Sequence, residues 1–177
     1  MSVSYFFAIF PDEHTRDLTY AAAGLLQSAL GLRGKLIAPG RLHLTCRFLG
    51  RFDAPQPRLE EAAIELVNRI DTEPFKIRFD HATSFDAPKD APCVFVSPEH
   101  PPALIELGNV LEDVCVARAS HAHAPFTPHV TWLRSKDRVY GQMAIAPIAW
   151  SARALSLACS TSGERDYRIV GTWPLGQ

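Results

Sequence analysis

An α+β fold of two similar lobes is what this sequence predicts, and three observations carry the prediction. Strand-like and helix-like segments follow one another in mixed order, which favours largely antiparallel sheet over a regular parallel core. A strand closed by proline, an amphipathic helix and a His-x-Thr strand occur in that order twice. The two copies also keep their spacing: Pro11 to Pro98 is 87 positions and His43 to His129 is 86. At 177 residues the chain fits a single bilobal domain spanning 1–177, its two interleaved lobes sharing a cleft and each contributing one His-x-Thr strand.

The elements follow from local pattern. Tyr5 to Phe10 is aromatic and aliphatic enough for a buried strand, stopped by Pro11, and Asp12 can cap the helix that follows. Leu18, Ala21, Ala22, Leu25, Leu26 and Ala29 fall at helical spacing and predict a buried stripe, ended by Gly31 and Gly34. Lys35 to Ala38 is a short strand candidate, Pro39-Gly40 a turn, and Leu42 to Leu49 the strand of the first motif. Leu59, Ala62, Ala63, Leu66, Val67 and Ile70 repeat the helical stripe, and Phe75 to Phe79 alternates apolar with basic residues as a half-wet strand does. Ala82 to Pro92, rich in proline and charge, reads as a loop between halves. Beyond it come a strand at Val94–Val96, a helical stripe from Leu104 through Leu107 and Leu111 to Val114 and Cys115, and the second motif strand, Val130–Leu133. Two more strands, Ala154–Ala158 and Tyr167–Val170, turn about Ser162-Gly163.

Composition narrows the function. Hydrophobic residues make up 47% and charged residues 21%, values of an ordinary globular protein. No apolar run is long enough for a membrane span or a signal peptide, so the chain reads as cytoplasmic, with no membrane partner, and as a monomer. Cys46, Cys93, Cys115 and Cys159 are scattered singly, which suggests buried thiols rather than a disulfide framework or a zinc site. His121-Ala122-His123 has the spacing of a metal pair but lies in an Ala/Ser/Pro stretch that reads as a loop. Net charge is -1, against a broad nucleic-acid-coating surface. The charge is nonetheless uneven. Arg33, Lys35, Arg41, Arg47 and Arg51 occupy the window around the first motif with no carboxylate among them, and the stretch between Asp113 and Asp137 around the second motif also lacks one.

In a strand, residues two apart share a face, so each motif presents a histidine beside a threonine: His43 with Thr45, His129 with Thr131. Two facing histidines supply what in-line displacement at phosphorus needs, one neutral imidazole to accept a proton and one imidazolium to donate one. The threonine hydroxyls suit non-bridging phosphate oxygens, and Arg134, five positions past His129, can add a charge-assisted contact. This design calls for no metal and no cofactor. By strand parity Arg47 shares the face of His43 and Thr45, to reach the phosphate or to pair at the cleft rim. Phe7 and Phe48 either stack on a base or pack in the core.

The pairing of HLTCRFLG with PFTPHVTWLR, with the opening FFAIF-P and the closing RDYRIVGTWPL, resembles the RNA 2',3'-cyclic phosphodiesterases, also called 2'-5' RNA ligases, of the 2H phosphoesterase superfamily. The similarity runs along nearly the whole chain, and two His-x-Thr motifs in their expected flanks are a specific signal. The resemblance implies the bilobal 2H phosphoesterase fold: two pseudo-symmetric lobes of mostly antiparallel sheet, with outer helices, around a central cleft. It implies metal-independent opening of RNA 2',3'-cyclic phosphate ends, or of small cyclic nucleotides, to 2'-phosphates, with reversible 2'-5' ligation as a side activity. In that pattern His43 is the general acid, His129 the general base, and Thr45, Thr131 and Arg134 bind phosphate. The alternatives are a phosphodiesterase acting on 2'-5' oligoadenylates or another small cyclic phosphate, and a non-catalytic nucleotide- or RNA-binding module.

Overall fold

The computed structural model describes residues 1–87, 90–114, 126–139 and 141–176. Among the described residues nine strands form one sheet: β1 (Val3–Ile9), β2 (Lys35–Leu36), β3 (Leu44–Phe52), β4 (Phe75–Ser84), β5 (Ala91–Val96), β6 (His129–Ser135), β7 (Met143–Ala152), β8 (Ala154–Thr161) and β9 (Arg168–Pro174). Three α-helices accompany them among the described residues: α1 (Glu13–Leu30), α2 (Pro57–Val67) and α3 (Pro102–Val110). The strand order is β7-β4-β5-β6-β3-β1-β8-β9, with β2 added against β6, and every pairing is antiparallel. The fold is therefore antiparallel α+β, as the mixed order of elements predicts.

The two halves of the sheet, β7-β4-β5-β6 and β3-β1-β8-β9, meet through a single ladder pair, Leu44 opposite Val130. Both residues are fully buried and belong to one core cluster that also takes in Tyr5, Phe7, Leu155 and Leu157 from one half and Phe79, Phe95, Trp132 and Trp150 from the other. The helices lie over this core. α2 lies against β9, and α3 against β3. α1 follows β1 in the chain yet packs on β6 and β7, in the opposite half of the sheet.

α1 is capped as the sequence suggests: the Asp12 carboxylate accepts from the Thr15 N–H at 2.8 Å, and Gly31 ends the helix at φ 61°. Its buried face is only partly the predicted stripe, of which Ala22 and Leu26 pack against the core. Thr15, Thr19 and Ala23 face the sheet while Leu18 and Leu25 stand 53% and 75% exposed. Short side chains let the helix axis approach the strands, and the Thr19 hydroxyl is satisfied by donating to the Thr15 carbonyl at 2.7 Å.

β7 is a strand without a sequence signal. Pro147 and a run of alanines break its pattern, and it survives because it is an edge strand whose proline falls in a register shift, between Ala144 opposite His81 and Ile148 opposite Phe79. The predicted interlobe loop is shorter than its composition suggests, since Ala82–Ser84 belong to β4 and Ala91–Pro92 to β5. Cys46, Cys93 and Cys159 are buried free thiols. Cys115 and the His121–His123 pair lie outside the described residues. Among the described residues no helix is long and apolar enough to cross a membrane.

Candidate active site

The Leu44–Val130 pair sets the site. Moving one residue either way along the antiparallel register puts His43 across from Thr131 and Thr45 across from His129, so four polar side chains share the face opposite the buried Leu44 and Val130. A local two-fold passes through that pair, and the two histidines are diagonal neighbours. Diagonal positions stand roughly 7–8 Å apart at the backbone. His43 itself precedes β3, held by the 3₁₀ turn Pro39–Arg41.

Both imidazoles are oriented in the same way. The Nδ1 of His43 lies 2.7 Å from the carbonyl oxygen of Arg41, and that of His129 lies 2.8 Å from the carbonyl oxygen of Thr127, each two residues upstream. A carbonyl accepts only, so Nδ1 carries the proton in both rings and Nε2 is left for the cleft. Aromatic rings hold them in place. Phe6 stacks on His43 at 4.9 Å between centroids, with Phe10 and Tyr167 at 5.7 and 5.4 Å, and Phe85 stands edge-on to His129 at 4.8 Å.

Past the threonines, strand parity fails in both halves at the same place. In β3, Ala8 faces Thr45 but Phe7 faces Arg47, so Cys46 is an extra residue; in β6, Val94 faces Thr131 but Cys93 faces Leu133, so Trp132 is the extra residue. Between the readings open to each residue, the bulge decides for Arg47 and burial decides for Phe7. Arg47 turns away from the cleft with Phe7 and pairs with Glu112 at 2.7 Å, so it does not share the histidine face. Phe7 is fully buried in the core and offers no ring to a ligand, because its strand position alternates with Phe6. Phe48 instead lies opposite Phe6 on the cleft face and is 42% exposed. Its counterpart after the second bulge is Arg134, opposite Pro92 and exposed. The local two-fold thus sets an aromatic ring and a guanidinium at matching points on either side of the four motif residues. Phe6, Phe10 and Tyr167 lie in the opening and closing stretches that carry the family resemblance, but their place around His43 was not legible there, because it comes from the pairing of β1 with β3 and from the β8–β9 turn.

The 2'-5' RNA ligase superfamily model matches residues 6–160, which includes His43, Thr45, Phe48, His129, Thr131 and Arg134. The chain belongs to that superfamily. Its structure superposes on E. coli LigT in the apo form with a TM-score of 0.73 at 26% identity, covering 99% of both chains. E. coli LigT complexed with 3'-AMP gives a TM-score of 0.75 at 23% identity over the full length of both. TT0787 of Thermus thermophilus gives 0.71 at 21% identity over 97% of each chain. A search of curated proteins finds no match.

Electrostatics in this 2'-5' RNA ligase superfamily member favour neutral imidazoles in the free protein. Burial pushes His43 down to about 4, against the upward pull of the Arg41 carbonyl, and the charges of His129 and Arg41 lower it further. Burial also lowers His129, with the Thr127 carbonyl opposing. The Arg41 guanidinium sits 4.3 Å over the Tyr167 ring, which fixes a cation beside the site without an ion pair. Among the described residues no cluster of three or more His, Cys, Asp or Glu is arranged to hold a metal ion.

Proposed function

We propose that this superfamily member hydrolyses RNA 2',3'-cyclic phosphate ends, or 2',3'-cyclic nucleotides, to 2'-phosphates by paired-histidine acid–base catalysis. The observation that carries the reading is the matched tethering of His43 and His129 by backbone carbonyls, which leaves an Nε2 of each ring for a group seated between them. In the reaction the Nε2 of His129 takes a proton as water attacks phosphorus, the P–O3' bond breaks, and His43 gives its Nε2 proton to O3'. One water is consumed, and a 2'-phosphate with a free 3'-hydroxyl is formed. Thr45 and Thr131, adjoining the rings, donate to the non-bridging oxygens.

His43 is neutral at pH 7 in the free protein, so it acts as an acid only once charged by its ligand. The negative phosphate supplies that: placed against Nε2 it stabilises the imidazolium and raises the pKa when the substrate arrives. Arg134 adds a charge-assisted contact to the same phosphate, and the Phe48 ring offers a stacking face to the base. The complex of E. coli LigT with 3'-AMP supports a nucleotide as the ligand class.

The test is turnover of 2',3'-cyclic AMP in EDTA, with the product isomer identified. We expect 2'-AMP, and a loss of 10²- to 10⁴-fold in kcat for His43→Asn and for His129→Asn. Loss of turnover on chelation, or a 3'-phosphate product, refutes the mechanism.

A further inference from the structure

A second groove, of about 1160 Å³, opens beside the motif face and contains neither histidine. Lys35, Arg41, Arg134, Lys136 and Arg165 line it, together with Arg33, against the carboxylates Asp90 and Glu164. Arg33 is committed to Asp137 at 2.8 Å, and Arg41 to the Tyr167 ring. Lys35, Arg134, Lys136 and Arg165 have no carboxylate partner among the described residues, and all four are exposed.

Two of these cations are held together against their repulsion. β2 pairs with β6 so that Lys35 lies directly opposite Arg134, an arrangement of like charges that costs stability. The backbone is built to bring it about. Gly34, at φ 138°, passes so close to the Arg134 carbonyl that an added Cβ would collide with its oxygen. Gln27 fixes the approach by donating to the carbonyls of Leu32 and Gly34 at 3.1 and 3.0 Å. A juxtaposition of cations that no carboxylate pairs is a seat for an anion. Tyr20, 37% exposed, also lines the groove and adds a stacking surface.

The groove reaches the reaction site through Arg41, whose carbonyl tethers His43, and Arg134, which stands on the motif face. Its volume exceeds the usual range of small-ligand pockets, about 300–1,000 Å³. In a 2',3'-cyclic phosphate both the 2' and 3' oxygens are used, so any further nucleotide leaves through the 5' oxygen.

We propose that this groove binds the phosphodiester backbone of the single-stranded RNA immediately 5' of the reacting nucleotide, making RNA ends better substrates than cyclic mononucleotides. The inference rests on the function proposed above, and its test separates the two. Lys35→Gln, Lys136→Gln and Arg165→Gln are combined in one variant. Turnover is measured on cyclic AMP of the 2',3' type and on a ten-nucleotide RNA ending in a 2',3'-cyclic phosphate, at several salt concentrations. We expect kcat/KM for the RNA to fall tenfold or more at low salt, with the mononucleotide value unchanged within about twofold. Binding of a labelled RNA with a 3'-phosphate should lose about two from its logarithmic salt slope, at about 0.7 per phosphate released. Equal losses on both substrates, or undiminished RNA binding, overturn the proposal. So does polyglutamate that competes as well as RNA of equal charge. Should the parent protein turn over neither substrate, the hydrolytic reading falls, while the RNA-binding comparison still decides the groove.

Discussion

His43 joins catalysis and stability in one side chain. Its fall from 6.5 to about 4 means that the folded protein binds a proton on this ring much less readily than the unfolded chain does. Stability contributed by the neutral ring is thus fully present above pH 6.5 and is lost as pH drops towards 4, where the unfolded state is protonated and the folded state resists. The depression corresponds to roughly 3 kcal/mol, a large part of the total for a domain. His129 shifts in the same direction and steepens the dependence. Urea unfolding measured between pH 7 and pH 4 should show stability falling across this window, and His43→Asn should flatten the slope. An unchanged slope in the variant would move the acid sensitivity elsewhere. The same burial that depresses the ring is what makes the substrate's charge decisive for it: solvent cannot compensate the imidazolium, so the phosphate must.

At the level of elements, the site depends on departures from regular strand geometry. Without the bulge at Cys46, Phe48 would face the core and Arg47 the cleft; the same holds for Arg134 and the bulge at Trp132. A one-residue parity change of this kind is invisible to a pattern of alternating residues, which is why His43, Thr45, His129 and Thr131 could be read from spacing while the faces of Arg47 and Phe48 could not. β7 was illegible for a related reason, because its proline is tolerated only at an edge that pairing with β4 creates. The α1 stripe was legible only in part: Ala22 and Leu26 pack on the core, but apolar spacing does not say that the sheet takes the neighbouring face of Thr15, Thr19 and Ala23 rather than Leu18 and Leu25. Gly34 is the element-level control on the basic groove. Gly34→Ala adds a Cβ against the Arg134 carbonyl at a backbone angle alanine avoids, so thermal or urea unfolding should report a loss of roughly 2–3 kcal/mol. A loss under about 0.5 kcal/mol would show that β2 shifts freely, and with it Lys35.

For the molecule as a whole, the question is what joins two sheet halves that share one ladder pair. Hydrogen bonding at Leu44–Val130 is too slight to couple them. The core cluster is continuous across the junction, and α1 carries chain from β1 in one half onto β6 and β7 in the other. We propose that residues 1–177 therefore unfold as one cooperative unit, despite a site built on a local two-fold. Trp132 and Trp150 report on one half and Trp173, in β9, on the other. Replacing either set with phenylalanine leaves fluorescence from a single half; the destabilisation each replacement causes can be corrected by following far-UV circular dichroism in the same sample. Coincident fluorescence and dichroism midpoints within each variant are the expected result. A fluorescence transition that precedes the dichroism change in one variant and follows it in the other would mean that the halves melt separately, and that the alignment of His43 with His129 is an encounter between two domains rather than a property of one core.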